Sequence, residues 1–233
     1  MKKPKDYIIF PLDFSEYDEV IRYVNLLKDA VGVFKIGLEL FISQGPTILN
    51  AIRDICDNKI FLDLKLHDIP ETVKRALKAA LQYNPDFITV HPELPEEAFK
   101  GIKKGKTKIL AVTLLTSIDK DMAKRFGYRY SDIKRLVLLR AEWAKKIGCH
   151  GVVCSGREVA RIKKEFGKRF LTVVPAVRPS WAIRKDDQKR IVTPKDAILS
   201  GADYIVCGRP IRESKDPLSS AMKIAEEIKE ALL

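Results

Sequence analysis

The segment Phe61-Leu-Asp63-Leu-Lys65-Leu-His67-Asp68-Ile-Pro70 concentrates acids and a base in an otherwise apolar run. A strand's period of two puts Asp63 and Lys65 on one face and Leu62, Leu64 and Leu66 on the other. Charges inside an apolar strand are costly unless they are paired and used. A fixed ammonium beside carboxylates can do two things: stabilise developing negative charge and deliver a proton. Two further charges share the pattern, since Asp13 ends the run Tyr7–Leu12 and Lys35 sits among Val33, Phe34 and Ile36. If those runs are neighbouring strands, Asp13, Lys35, Asp63, Lys65 and Asp68 form an alternating array at one rim, each charge offsetting its neighbour's desolvation.

A second signal is Gly201-Ala-Asp-Tyr-Ile-Val-Cys-Gly208-Arg209-Pro-Ile211, a strand ending in Gly-Arg before a turn. Glycine admits close backbone approach and arginine offers a fork of donors, which together suit a phosphate. The stretch Gly101-Ile-Lys-Lys-Gly105-Lys106-Thr107 imitates a nucleotide phosphate loop but is one residue short and precedes a strand instead of following one. His91 ends an apolar run and either faces the rim or packs as a core imidazole, while His67 and His150 have no evident nucleophile partner. Cys56, Cys149, Cys154 and Cys207 lack metal-ligand spacing and read as reduced, buried fillers, so neither metal nor disulfide is expected.

The elements that must hold these residues recur along all 233 residues. Eight short β-rich runs, at 7–12, 33–36, 60–65, 87–90, 109–114, 151–154, 171–174 and 204–207, alternate with helix-like segments. Val20, Ile21, Val24 and Leu27, then Leu136, Leu139, Trp143, Ala144 and Ile147, mark apolar helix faces. Strands that are apolar nearly throughout fit a parallel sheet buried on both faces. Eight such units predict a single-domain (β/α)8 barrel over residues 1–233, and no Gly-x-Gly-x-x-Gly turn follows the first strand as an open dinucleotide-binding sheet would want. The polar, cationic stretch from Val177 to Val192 has the length of a lid.

Composition narrows the function classes. With 46% hydrophobic and 32% charged residues the chain is an ordinary globular sequence. Its apolar runs fall short of the roughly 20 residues of a membrane helix and no apolar signal core follows the first lysines, so the expected location is the cytoplasm. Forty-three Lys and Arg against 31 Asp and Glu give a net charge of +12. The basic residues, as in Lys74-Arg75-Lys78 and Lys163-Lys164-Lys168-Arg169, interleave with acids along helices, which predicts a solvated surface and no nucleic-acid partner.

On these residues the chain resembles the orotidine 5′-monophosphate decarboxylase family. Asp63-Leu-Lys65-Leu-His-Asp68-Ile-Pro70 looks like its Asp-x-Lys-x-x-Asp-Ile-Pro signature. Asp13 in Pro-Leu-Asp-Phe, Lys35 in Phe-Lys-Ile-Gly, Leu115-Thr116-Ser117, Arg178-Pro179, Asp187-Gln188-Lys189-Arg190 and Gly208-Arg209-Pro-Ile follow in family order. The resemblance implies a cofactor-free, metal-free (β/α)8 homodimer that converts orotidine monophosphate to uridine monophosphate and carbon dioxide in pyrimidine biosynthesis. It implies Lys65 as proton donor to the pyrimidine carbon, Asp63 near the departing carboxylate, Lys35 orienting the aspartates and touching the ribose, and Asp13 on a ribose hydroxyl. Asp68 and Thr72 would reach the partner subunit's site. Thr116 would contact the pyrimidine, Gln188 would bridge base and phosphate, and Arg178, Gly208 and Arg209 would carry the phosphate region.

Two places depart from the family pattern: His91-Pro-Glu-Leu-Pro95 replaces a small, glycine-rich stretch, and Ala176 stands where glycine is frequent. The nearest rival reading is a keto-sugar-phosphate decarboxylase of the same superfamily, which shares Asp-x-Lys-x-x-Asp but uses a divalent metal; the Asp-Gln-Lys-Arg segment argues against it. A nucleic-acid-binding protein exploiting the +12 charge is the alternative from another class, and salt-sensitive, sequence-independent duplex binding would mark it.

Overall fold

Eight parallel strands close on themselves in chain order, each hydrogen-bonded to the next and the last to the first. They are β1 (Ile8–Pro11), β2 (Val33–Ile36), β3 (Lys59–Leu66), β4 (Phe87–Val90), β5 (Lys108–Val112), β6 (Gly151–Val153), β7 (Leu171–Val174) and β8 (Tyr204–Val206). The computed structural model describes residues 2–128, 132–182 and 192–233. The expected barrel is therefore the observed one, with strand limits within two residues of those read from the sequence.

Alternation along the strands sorts the core into two layers. Ile9, Val33, Phe61, Phe87, Leu110, Val173 and Tyr204 pack together inside the barrel, with Phe87 edge-on to both Phe61 and Tyr204 at ring-centroid distances of 5.9 and 5.0 Å. Their strand neighbours Ile8, Phe10, Phe34, Ile60, Leu62 and Ile88 point outward into the larger core beneath the helices. Each fully buried side chain of this size contributes about 1.5–3 kcal/mol of transfer free energy. The interior is thus packed solid below the rim, and chemistry is confined to the C-terminal mouth.

The helices cover the barrel as expected with one exception. Between β4 and β5 there is only the 3-10 turn Glu96–Phe99. Pro92 and Pro95 precede it, and Gly101 and Gly105, both at positive φ, follow it, so no helix can propagate through this stretch. A second difference lies on the helix Ile133–Lys146, where Leu136, Ala144 and the adjoining Ile147 are buried but Leu139 and Trp143 stay exposed. The two line an apolar groove with Pro92, Glu93 and Arg140.

The positive charge is largely a helix surface of local ion pairs, such as Arg22–Glu19, Arg75–Glu71 and Arg161–Glu165. Lys163 corrects that expectation. Its ammonium turns inward, donates to the Phe170 carbonyl at 2.8 Å and pairs with Asp203 at 2.5 Å. Asp203 in turn accepts from the Thr172 amide, tying β7 to the loop before β8. Cys149, Cys154 and Cys207 are buried free thiols, and Cys56 is half-buried. Burial pushes the Cys149 and Cys207 thiols up to about 12, which makes them inert fillers. Among the described residues no helix is long and apolar enough to cross a membrane.

His150 lies at the foot of β6, where its Nδ1 accepts the Ile109 amide at 3.1 Å. Burial, then the nearby Lys104 and Lys108, push its pKa down to about 4 from 6.5. The folded chain holds this imidazole neutral while the unfolded chain protonates it, so the unfolded state binds more protons between those values and stability falls as pH drops through that window. The change His150→Asn keeps an acceptor without a titrating ring. It should shrink the Tm loss between neutrality and about pH 4.5. An equal Tm loss in the variant would assign the acid sensitivity to other groups.

Candidate active site

Asp13, Lys35, Asp63 and Lys65 meet at the C-terminal mouth because β1, β2 and β3 are neighbours and all four side chains lie on the inward face. The Lys35 ammonium stands 3.2 Å from Asp13 and 3.7 Å from Asp63. Lys65 Nζ lies 2.9 Å from the same Asp63 oxygen. The order is anion, cation, anion, cation, and burial deepens towards its middle: Lys35 and Asp63 side chains are each 12% exposed, Lys65 31% and Asp13 43%. Burial alone would push the Asp63 carboxyl up, but Lys35, Lys65 and two hydrogen bonds outweigh it and hold the carboxyl below its ordinary value. It is therefore an anion at neutral pH.

The strand does not alternate regularly through this site. The β3–β4 register shifts between Leu62 and Leu66, and Lys65 takes a left-handed φ of 50°. A lysine in that region is strained, and such strain accumulates at functional positions. Neighbours that spacing did not single out complete the array. Thr89 on β4 accepts the Lys65 amide and donates to Asp63 Oδ1. Arg212 donates to the Asp13 carbonyl. Gly37 lies so close that a Cβ there would stand 3.0 Å from Lys35 Nζ and 3.4 Å from Asp13.

Asp68 stands apart from the array expected of it. It is exposed just past β3 and accepts the Ile69 amide at 2.6 Å, making no ion pair with Lys35 or Lys65 among the described residues. Thr72, on the helix Pro70–Leu81, is also exposed. Thr116 is half-buried in the turn after β5. His91 directly follows β4, its ring 5.0 Å from that of His67, and burial holds it below the ordinary imidazole value despite Glu93.

The segment Pro92–Pro95 is anchored by side chains. Trp143 donates to the Leu94 carbonyl at 2.9 Å, and Arg140 pairs with Glu93 while donating to the Thr113 carbonyl. Side-chain contacts thus hold this turn in place.

Arg178 is buried in the segment that follows β7 and donates to the Val177 carbonyl. Its amide bonds the Val192 carbonyl at 3.0 Å, and Val177 forms a bridge with Val192. Both ends of the expected lid are therefore clipped together, while its body, with Gln188, lies outside the described residues. Gly208 and Arg209 follow β8 as expected, and a Cβ on Gly208 would press to 2.8 Å from Pro11.

A closed parallel barrel that gathers a buried acid–base array at its mouth, with a glycine–arginine turn after the last strand, beside β1, defines a barrel enzyme of the acid–base kind. Sequence comparison agrees. Residues 6–224 match the family described as "Orotidine 5'-phosphate decarboxylase / HUMPS family". The orotidine 5′-phosphate decarboxylase of Desulfosudis oleivorans is 45% identical over 99% of this chain and 96% of its own. That of Methylococcus capsulatus is 42% identical over 97% and 93%. The crystal structure of the Lactobacillus acidophilus orotidine 5′-phosphate decarboxylase superposes with a TM-score of 0.81 at 32% identity, covering 95% of this chain and 98% of that one. The chain belongs to the orotidine 5′-phosphate decarboxylase / HUMPS family and is an enzyme.

Ala176, at the departure near the lid, has a left-handed φ of 59°. That conformation favours glycine and costs an alanine about 1 kcal/mol. The substitution Ala176→Gly should relieve it, raising Tm by about 2–4 °C. An unchanged or lower Tm would show that the surrounding packing already compensates.

Proposed function

We propose that this chain decarboxylates orotidine 5′-monophosphate to uridine 5′-monophosphate, with Lys65 as the proton donor. The observation that carries the reading is the Lys65 ammonium held 2.9 Å from a buried, ionised Asp63 at the barrel mouth. The bond between the pyrimidine ring and its carboxylate breaks, the electron pair stays on the ring carbon and carbon dioxide leaves. Lys65 faces the developing negative charge, stabilises it and passes a proton to that carbon. The resulting neutral amine regains a proton from solvent. Asp63 fixes the ammonium and sets a like charge against the substrate carboxylate, a repulsion that departure of carbon dioxide removes. Lys35 keeps Asp63 ionised and, with Asp13, lies on the side assigned to the ribose. Arg178, Gly208 and Arg209 form the phosphate end, Thr116 meets the base and Gln188 bridges base and phosphate. No metal or cofactor enters this scheme.

The same reading makes the working unit a homodimer. Asp68 and Thr72 are exposed, and apolar Ile69 and Leu115 are left exposed beside Asp68 and Thr116. Asp68 then supplies the partner's site, adding a second acid beyond Lys65.

Purified protein in excess chelator should convert orotidine monophosphate, followed by its absorbance change, and Lys65→Ala should abolish turnover while leaving the fold intact. Turnover that requires added divalent metal, or that survives in Lys65→Ala, refutes the assignment. Mixing inactive Lys65→Ala with inactive Asp68→Asn should restore activity, because half the dimers are then mixed and one of their two sites is whole. The expectation is about a quarter of wild-type activity. No recovery after subunit exchange would place Asp68 outside the shared site.

A further inference from the structure

Thr89 is the third residue of β4 and is fully buried. A threonine in Phe87-Ile-Thr-Val90 reads as an ordinary β-former, yet its one hydroxyl serves the Asp63 carboxylate and the Lys65 backbone together. The Lys65 amide donates to Oγ1 at 2.9 Å, and Oγ1 donates to Asp63 Oδ1 at 2.8 Å. With the amide proton occupying the oxygen's lone pairs, the hydroxyl proton is directed at the carboxylate.

The need for this arrangement lies in the sheet. β3 and β4 pair at Phe61/Phe87 and Leu62/Ile88, then not again until Leu66/Val90. Three residues of β3, Asp63, Leu64 and Lys65, thus lie opposite Thr89 alone. Regular pairing would give the Lys65 amide a backbone carbonyl; in the bulge the Thr89 hydroxyl takes that place, and there Lys65 adopts its φ of 50°. Asp63 divides its oxygens accordingly. Oδ2 faces the ammonium groups of Lys65 and Lys35, at 2.9 and 3.7 Å, while Oδ1 is held by Thr89.

We infer that Thr89 is a positioning residue for the reaction: its hydroxyl locks the plane of the Asp63 carboxylate and the strained backbone of Lys65 in one contact, and so aims the Lys65 ammonium. The inference rests on the reading of Lys65 as proton donor. It assigns to β4 a share of the catalytic geometry that otherwise lies entirely on β1, β2 and β3. A threonine serving only packing would tolerate valine, which has nearly the same shape but leaves the Lys65 amide and Asp63 Oδ1 without this partner.

The test compares Thr89→Val with Thr89→Ser, which keeps the hydroxyl. Losing a buried hydrogen bond to a charged group should lower kcat of Thr89→Val about 10- to 100-fold, with KM within about threefold of wild type because substrate contacts are untouched. Thr89→Ser should retain kcat within about threefold. The acid limb of kcat/KM should move to higher pH in Thr89→Val, since removing a donor to the ionised form raises the Asp63 carboxyl. If Thr89→Val does not fold, Thr89→Cys, with a similar shape and a much weaker donor, carries the comparison and should fall below Thr89→Ser in kcat. Wild-type kcat and an unmoved acid limb in the valine variant overturn the inference, as does an equal loss in valine and serine variants. Lys65→Ala, measured alongside, separates the two failures: turnover surviving there removes the proton-donor reading itself, whereas a dead Lys65→Ala with a fully active Thr89→Val removes only the role of Thr89.

Discussion

A carboxylate sunk into the wall of a packed barrel stays ionised only if cations and donors replace the water it has lost. Asp63 is that group, and much of the mouth is organised around it. Lys35 rises from β2 and Lys65 from β3 to face one of its oxygens, and Thr89 reaches from β4 to the other. Asp13 balances the charge Lys35 would otherwise leave over, and Arg212 secures the Asp13 backbone. Removing either lysine leaves the carboxylates in excess and Asp63 with one cation where it had two, so the set behaves as one electrostatic unit in which each charge leans on its neighbours.

The solid interior below makes such a unit possible. Phe61, Phe87 and Tyr204 fill the space under the array with rings in edge contact, so there is no slack for its side chains to sink into. Close packing and ion pairing thus share the work of fixing geometry to fractions of an ångström, the tolerance a positioned proton transfer demands. Part of the cost falls on the backbone at Lys65 and Ala176, whose left-handed conformations lie near the end of β3 and just past β7.

Most of this was legible in the sequence for a physical reason: strand periodicity is strict, so a charge in an apolar run declares which face it occupies. Asp63 and Lys65 announced themselves in that way, as did the eight strands. Thr89 did not, because threonine is common in strands and its partners are distant in sequence. The bulge at Asp63–Lys65 was equally silent, since nothing in Leu-Asp-Leu-Lys-Leu distinguishes it from regular alternation. The missing fourth helix could have been seen in Pro92, Pro95, Gly101 and Gly105, which break any helix long enough to matter. Leu139 and Trp143 misled because helical spacing identifies an apolar face without saying whether the barrel or another surface covers it. For Asp68, which is exposed past the end of β3, strand periodicity offered no guide, because the pleat that fixes the face of Asp63 and Lys65 stops at Leu66.

The bridge between Val177 and Val192 separates the intervening stretch from the barrel's own economy of folding. With both ends fastened side by side, the chain between them begins and ends at one point, and the cost of closing it grows only slowly, by about 0.6 kcal/mol for each doubling of length. Relatives can therefore vary this stretch in length and composition with little effect on how well the barrel folds. A change in the length of this stretch is felt little by the scaffold beneath it, and the buried charges of β1 to β3 stay as they are.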